Sequence, residues 1–363
     1  MELDLRGGVR AAPVAGDTPD ERRALRFAPD PRDRAADPAH VVRTARENEE
    51  DGLDSALVVQ SSSWPDPWLV GAWALAATTR LRVAVAHRAG VTAPTAAARS
   101  LATLDRLSGG RASAHVIVGS SDADVLRDGD TLSKAERYRR AGEYLELFRR
   151  TLDAAEPFDH SGEFYTVRDA WSGLRPAPRG ELVSFGGSSP EGLALAARHA
   201  EVYAVPALPV PETRRRVAAI RRAAAGHRRT LRVWRHLTLI LGHDDEDARQ
   251  RASRVVRDAL KLTADPHDPR WAAAVQLDRD RERGRSDPAH GAAQTVSYIR
   301  RSVAAAFVGS PDTVADRIGV LRAAGVDVLQ LDLAVEDDED RELRRALVRR
   351  LRDPHGSGGR GGW

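Results

Sequence analysis

The sequence predicts an α/β protein built as a (β/α)8 TIM barrel with insertions, and three observations lead there. Short, nearly continuous apolar runs recur along the chain and alternate with helical patterns, as parallel strands buried on both faces require. The helices between them open at proline or at a capping serine and stop at glycine. Several of the apolar runs end in Gly-Ser or Gly-Gly, at the strand ends where a barrel does its chemistry. A chain of 363 residues suits such a barrel. An open doubly wound sheet is the alternative that shares the alternation.

Taken in order, residues 1–23 are polar and punctuated by Gly and Pro, which predicts a flexible N-terminal segment. The barrel is then expected over 24–353, with PHGSGGRGGW (354–363) as a flexible tail. ALRFAP (24–29) is the first candidate strand. A helix from about Pro38 to Asp51 leads into SALVVQ (55–60), and one from Asp66 to Thr79 leads into LRVAVAH (81–87). Pro94 opens a helix that Gly109-Gly110 ends, so that ASAHVIVGS (112–120) can run as a strand. Ser133 and Glu136 make a capping box at the head of a long amphipathic helix. LVSFGGSS (182–189), VYAVPAL, RVWRHLTLILG and VDVLQLDL (326–333) complete the set of strands. Insertions at about 153–181 and 263–302 break the alternation, and in a barrel such segments cover the mouth.

Composition narrows the function. Lys+Arg 56 against Asp+Glu 53 leaves +3, and the two signs interleave along helices, so no nucleic-acid partner is expected. With Cys 0, disulfides, thiolate metal sites and a cysteine nucleophile are excluded, and no metal is expected. No stretch approaches the ~18 apolar residues of a membrane helix, and the N-terminus lacks the apolar core of a signal peptide. A soluble cytoplasmic protein without membrane contact is the expectation.

TAPTAAARSLATLDRLSGGR, VGSSD, AERYRRAGEYLELFRRTL, FDHSGEFYTV, FGGSSPEGLALAARHAEVY and FVGSPDTVADRI carry a resemblance. In that order, over roughly residues 40–350, they resemble the bacterial luciferase-like flavin monooxygenases, most similarly the alkanesulfonate monooxygenase branch. The resemblance implies a barrel that takes FMN in its reduced form, FMNH2, from a separate NAD(P)H-dependent flavin reductase. With O2 it would oxygenate a small organic substrate, an alkanesulfonate or another organosulfur compound first among them. The chain's lack of a Gly-x-Gly-x-x-Gly fingerprint also points to a separate reductase. A homodimer or higher homo-oligomer is implied, with the apolar helices 66–79 and 94–108 as candidate interface.

Site residues follow from both routes. Gly186, Gly187, Ser188 and Ser189 stand between a strand and a helix, where free amides favour a phosphate, and the family uses this position for the FMN phosphate. Tyr138 matches a family tyrosine near that phosphate, and Gly119-Ser120 closes a strand where the family has Thr-Gly-Ser. Val118 and His115 replace two polar family residues there. In RVWRHLTLIL, period-2 alternation puts Arg232, Trp234, His236 and Thr238 on one face. The match to the family turns that face inward, with His236 as polar contact or proton donor and Thr238 beside the substrate. Arg300 matches the family's lid arginine, Trp64 takes the place of its cysteine, and LDLAVED (331–337) lacks its tyrosine. A natural-product tailoring monooxygenase, a deazaflavin-dependent oxidoreductase and a non-catalytic flavin-binding partner subunit are the competing functions.

Overall fold

The computed structural model describes residues 3–28, 35–119, 122–177, 181–187, 189–265, 267 and 288–353. The barrel begins earlier than the hydropathy pattern suggests. Its first strand is β1 (Asp4–Val9), inside the segment expected to be flexible. The cause is visible in its inward residues, Asp4 and Arg6, which find charged partners inside the barrel and so leave no apolar signature. ALRFAP is not a strand. It ends α1 (Pro19–Leu25), a helix with a Thr18/Glu21 capping box. Its apolar residues Ala24 and Ala28 pack beside Ala259 and Ile299.

The other elements follow in chain order. They are α2 (Pro38–Glu50), β2 (Ser55–Val58), α3 (Pro67–Ala76), β3 (Arg82–Arg88), α4 (Pro94–Leu107) and β4 (Ala112–Ile117). A short α5 (Asp122–Arg127) and the long α6 (Lys134–Asp153) precede a hairpin, β5 (Phe158–Ser161) and β6 (Thr166–Ala170), within the 153–181 insertion. Then come β7 (Val183–Gly186), α7 (Pro190–His199), β8 (Val202–Val205), α8 (Val210–Gly226), β9 (Arg232–Leu241) and α9 (Asp245–Leu262). The 263–302 insertion lies mostly outside the described residues and ends in α10 (Pro288–Ala304). Last are β10 (Phe307–Gly309), α11 (Pro311–Ala323), β11 (Val328–Leu333) and α12 (Asp338–Arg352), while the 354–363 tail lies outside the described residues.

The parallel ring runs β1–β2–β3–β4–β7–β8–β9–β11 and back to β1, a closed barrel of eight strands. β10 adds to the end of β9 from outside the ring. The stop at the end of α4 works as its sequence suggests, with Gly109 and Gly110 at φ of 71° and 88°, values that L side chains disfavour. Among the described residues no helix is long and apolar enough to cross a membrane.

The two ends of the barrel interior differ. At the N-terminal end the filling is charged. Ser55 donates to Asp4 at 2.9 Å and Arg82 reaches Asp4 at 2.8 Å. Arg6 donates to Ser55 at 3.0 Å, and Arg232 pairs with Glu181. Above this layer Arg6 lies over the Trp234 ring at 4.6 Å, and Trp234 packs with Leu57, Ala84, Ala86, Val202 and Val328. His115 meets Trp234 edge-on at 4.5 Å and hydrogen-bonds Ser184 at 2.9 Å. Burial pushes the His115 imidazole down to about 3, with the Arg6 charge adding to the effect.

Two measurements follow from this interior. Asp4→Ala removes the buried carboxylate that Arg82 and Ser55 contact and that Arg232 approaches, and should cost about 3 kcal/mol in urea unfolding, the low end of the loss typical of one partner removed from a buried pair. His115 takes up a proton far less readily folded than unfolded, so its share of stability is full above about pH 6.5 and is lost as pH falls below it. Thermal melts from about pH 8 to about pH 4.5 should therefore show a shallower acid-side decline in His115→Asn than in the wild type.

Candidate active site

The C-terminal ends of the barrel strands form the mouth, and small residues keep it open. Gly8, on the inward face of β1, has nothing within 4 Å of where a side chain would begin. Ala86 and Ala204 line the same interior. Gly186 is held to glycine by His115, whose Nε2 lies 2.8 Å from the position of a Gly186 Cβ. The indole N–H of Trp234 and the Gln330 Oε1 are buried there without a hydrogen-bond partner among the described residues.

On one side of the mouth the chain brings Tyr138, Gly187 and Ser189 together. Ser189 caps α7 by accepting from the Gly192 amide at 3.2 Å, and Pro190 takes the first helical position. The Tyr138 hydroxyl lies 3.2 Å from where a Gly187 Cβ would stand and makes no hydrogen bond to a described residue. Tyr203 fixes the same turn by donating to the Gly187 carbonyl. A free hydroxyl, a glycine turn and a helix start are the donor set a phosphate group takes, so these residues fit the phosphate of FMN. Ser120 and Ser188, assigned to the same role by the sequence, lie outside the described residues.

On the other side stand His236 and Thr238 of β9. They lie on the inward face that the family resemblance implies, because Trp234, two residues before, fills the barrel centre. His236 is exposed at the mouth, with its Nε2 3.5 Å from Asp332 Oδ2. Thr238 is the strand partner of Asp332 in the β9–β11 register. Asp332 also accepts from Arg26 at 3.1 Å, just beyond the C-terminus of α1. Burial raises the Asp332 carboxyl, but the hydrogen bond from His236 and the charges of Arg26 and Arg10 outweigh it, holding the group well below the usual carboxylate range.

Trp64 lines a separate pocket at the ends of β1 and β2 with Arg10, Val9, Val58 and Val70, on the side where the strands meet α3, and its indole N–H is buried without a partner among the described residues. The loop that carries it is pinned by Ser61 and Ser62, which both donate to Asp124 at 2.9 and 2.7 Å. Arg300 stands apart. It is exposed on α10 and makes no hydrogen bond or ion pair with His236, Thr238 or Tyr138. Sequence reasoning missed Asp332 and Arg26. The alternation of β11 places Asp332 on the inward face with Gln330 and Val328, which was the available signal.

The sequence profile of the Luciferase-like monooxygenase family matches residues 22–328. Among solved structures, riboflavin lyase (RcaE), with modified FMN and substrate riboflavin, superposes with a TM-score of 0.76 at 19% identity, covering 98% of this chain and 92% of that one. EDTA monooxygenase (EmoA) from Chelativorans sp. BNC1 gives 0.74 at 18% identity over 98% and 94%. An F420-dependent secondary alcohol dehydrogenase gives 0.68 at 15% identity over 96% and 99%. At such identities each likeness is one of fold. The profile, spanning most of the chain from α1 to the start of β11, settles the family: this protein belongs to the luciferase-like monooxygenases.

Proposed function

We propose that the chain is the oxygenating component of a two-component system. It takes FMNH2 from a separate NAD(P)H-dependent flavin reductase and uses O2 to oxygenate a small organic substrate. The observation that carries this reading is the division of the mouth. Tyr138, Gly187 and the start of α7 offer neutral donors suited to the cofactor phosphate, while His236, Thr238 and Asp332 offer a polar substrate side. The small residues Gly8, Ala86, Gly186 and Ala204 leave room between them. When bound, reduced FMN supplies the electrons and the site of O2 activation. The protein's own residues bind it, exclude water and place a proton-handling group at the mouth.

The first substrate class is an alkanesulfonate or other organosulfur compound, because Arg10 lines a pocket with Gly8 and Asp332, and His236 and Thr238 stand on the neighbouring strand. A natural-product tailoring substrate is the next to test. The F420-dependent neighbour is the specific observation that keeps a deazaflavin cofactor as second reading.

Anaerobic titration with reduced FMN, followed by O2, reductase and a sulfonate panel, tests the assignment. Saturable binding with substrate-dependent O2 uptake is expected. Binding of F420 in place of FMN would move the chain to the second reading, and flavin binding without any turnover would make it a partner subunit. Tyr138→Phe should weaken reduced FMN about tenfold, or about 1.4 kcal/mol, without unfolding the protein.

We infer that the protein works as a homodimer. α3 reads PWLVGAWALA and leaves Leu69 73% and Trp73 55% exposed, with Leu107 of α4 82% exposed, an apolar surface more suited to a second copy than to water. Trp73→Glu should convert the dimer to monomer in analytical ultracentrifugation. A dimer that survives this change would place the interface elsewhere.

A further inference from the structure

The charged side of the mouth holds a pairing that the flavin assignment does not use. His236 Nε2 faces Asp332 Oδ2 at 3.5 Å, and Asp332 Oδ1 faces Arg26 at 3.1 Å. Arg26 in turn lies 3.6 Å from Glu336, which Arg22 holds at 2.7 Å. The imidazole is half exposed, at 48% of its side-chain surface, while the Arg26 side chain is 20% and that of Glu336 10% exposed. One ring nitrogen is thus turned to a held carboxylate, and the rest of the ring reaches the open mouth. The charged groups that face this pair are Arg26, Arg10 and Glu336.

A histidine that donates one N–H to a fixed carboxylate presents its other nitrogen as a lone pair, and the carboxylate offsets the charge when that nitrogen gains a proton. We propose that Asp332 is a positioning residue for His236. It accepts the Nε2–H and leaves Nδ1 as the proton-accepting atom of the mouth, with Arg26 fixing the carboxylate in turn. In the step this serves, a proton leaves an acidic group of the substrate and the bonding pair stays behind. Nδ1 takes the proton with its lone pair, and the new imidazolium faces Asp332. This assignment rests on the reading of the mouth as the active site and makes His236 an acceptor rather than a donor.

The spectra are taken on the full-length protein without flavin, so their outcome is separate from that of the cofactor titration. With 15N-labelled histidine, the His236 ring signals are identified by their loss in His236→Gln. In the wild type, at a pH where the ring is neutral, a Nε2-bound proton shifted downfield and protected from water is expected. It should vanish in Asp332→Ala and broaden in Asp332→Asn, where the charge is gone but the shape is kept. Reduced FMN should bind wild type and Asp332→Ala within about twofold, since Asp332 stands across the mouth from Tyr138 and Gly187. A protected proton that persists in Asp332→Ala, or one absent from the wild type, overturns the proposal. So does a loss of FMN affinity well beyond twofold, which would give Asp332 a role in shaping the flavin side. If Asp332→Ala fails to fold, the Asp332→Asn spectrum decides, because an unchanged sharp signal there means the carboxylate does not hold the ring.

Discussion

Closing this barrel requires charge inside it, and the rest of the site is stacked on that layer. Asp4, Arg82 and Arg232 come from the first, third and seventh strands of the ring, and Glu181 stands just before the fifth, the alternate-strand layering of such barrels. Buried ions cost several kcal/mol each to desolvate, so the layer holds only because each charge meets another or a hydroxyl. The consequence rises through the interior by contact. Arg6 lies over Trp234, Trp234 meets His115, and His115 fills the space that obliges residue 186 to be glycine. The glycine turn beside Tyr138 and Ser189, the proposed phosphate site, is therefore set from below.

The N-terminal segment does for the mouth what the charged layer does for the base. Arg22, Arg23 and Arg26, on one face in and just after α1, reach Glu336, Asp337, Asp340 and Asp332 around the β11–α12 connection. Single surface ion pairs contribute little, but these side chains are mostly covered and share partners. They hold α1 against the mouth from one flank, while Ala24 and Ala28 seat it on α9 and α10 through Ala259 and Ile299. The carboxylate beside His236 is one node of this set, so its position depends on a helix that begins in a stretch without hydropathy signal.

That stretch marks the limit of what could be read from the sequence. The strands β2, β3, β4, β7 and β9 were legible because their outward faces, and most of their inward residues, are apolar or small. β1 was not, because alternation of Asp4, Arg6 and Gly8 with Leu5, Gly7 and Val9 looks like a polar loop until the partners across the barrel are known. The contact of Tyr138 with Gly187 and the cap at Ser189 follow from a turn and a capping residue that are local in sequence, and the place of His236 on the inward face was expected from the family resemblance together with the strand period. Asp332 and Arg26 were not, since they act on His236 only through the closure of β11 against β9 and the fold-back of α1. Arg300, matched by its order in the chain, lies on an exposed helix face.

The asymmetry of the mouth bears on what such a barrel can vary. The phosphate side is made of backbone, hydroxyls and glycine, and a changed side chain there would strike Tyr138 or His115. The opposite side is made of side chains, of which His236 is exposed while Asp332 is held by Arg26. Since the bound cofactor carries the oxidative chemistry, a protein of this kind chooses its reaction by what it places opposite that cofactor. Here the structure places an imidazole with one nitrogen facing a carboxylate. The groups proposed for the chemistry stand on β9 and β11, while those proposed to hold the cofactor stand on α6 and the β7–α7 turn. In this chain those two sets do not overlap.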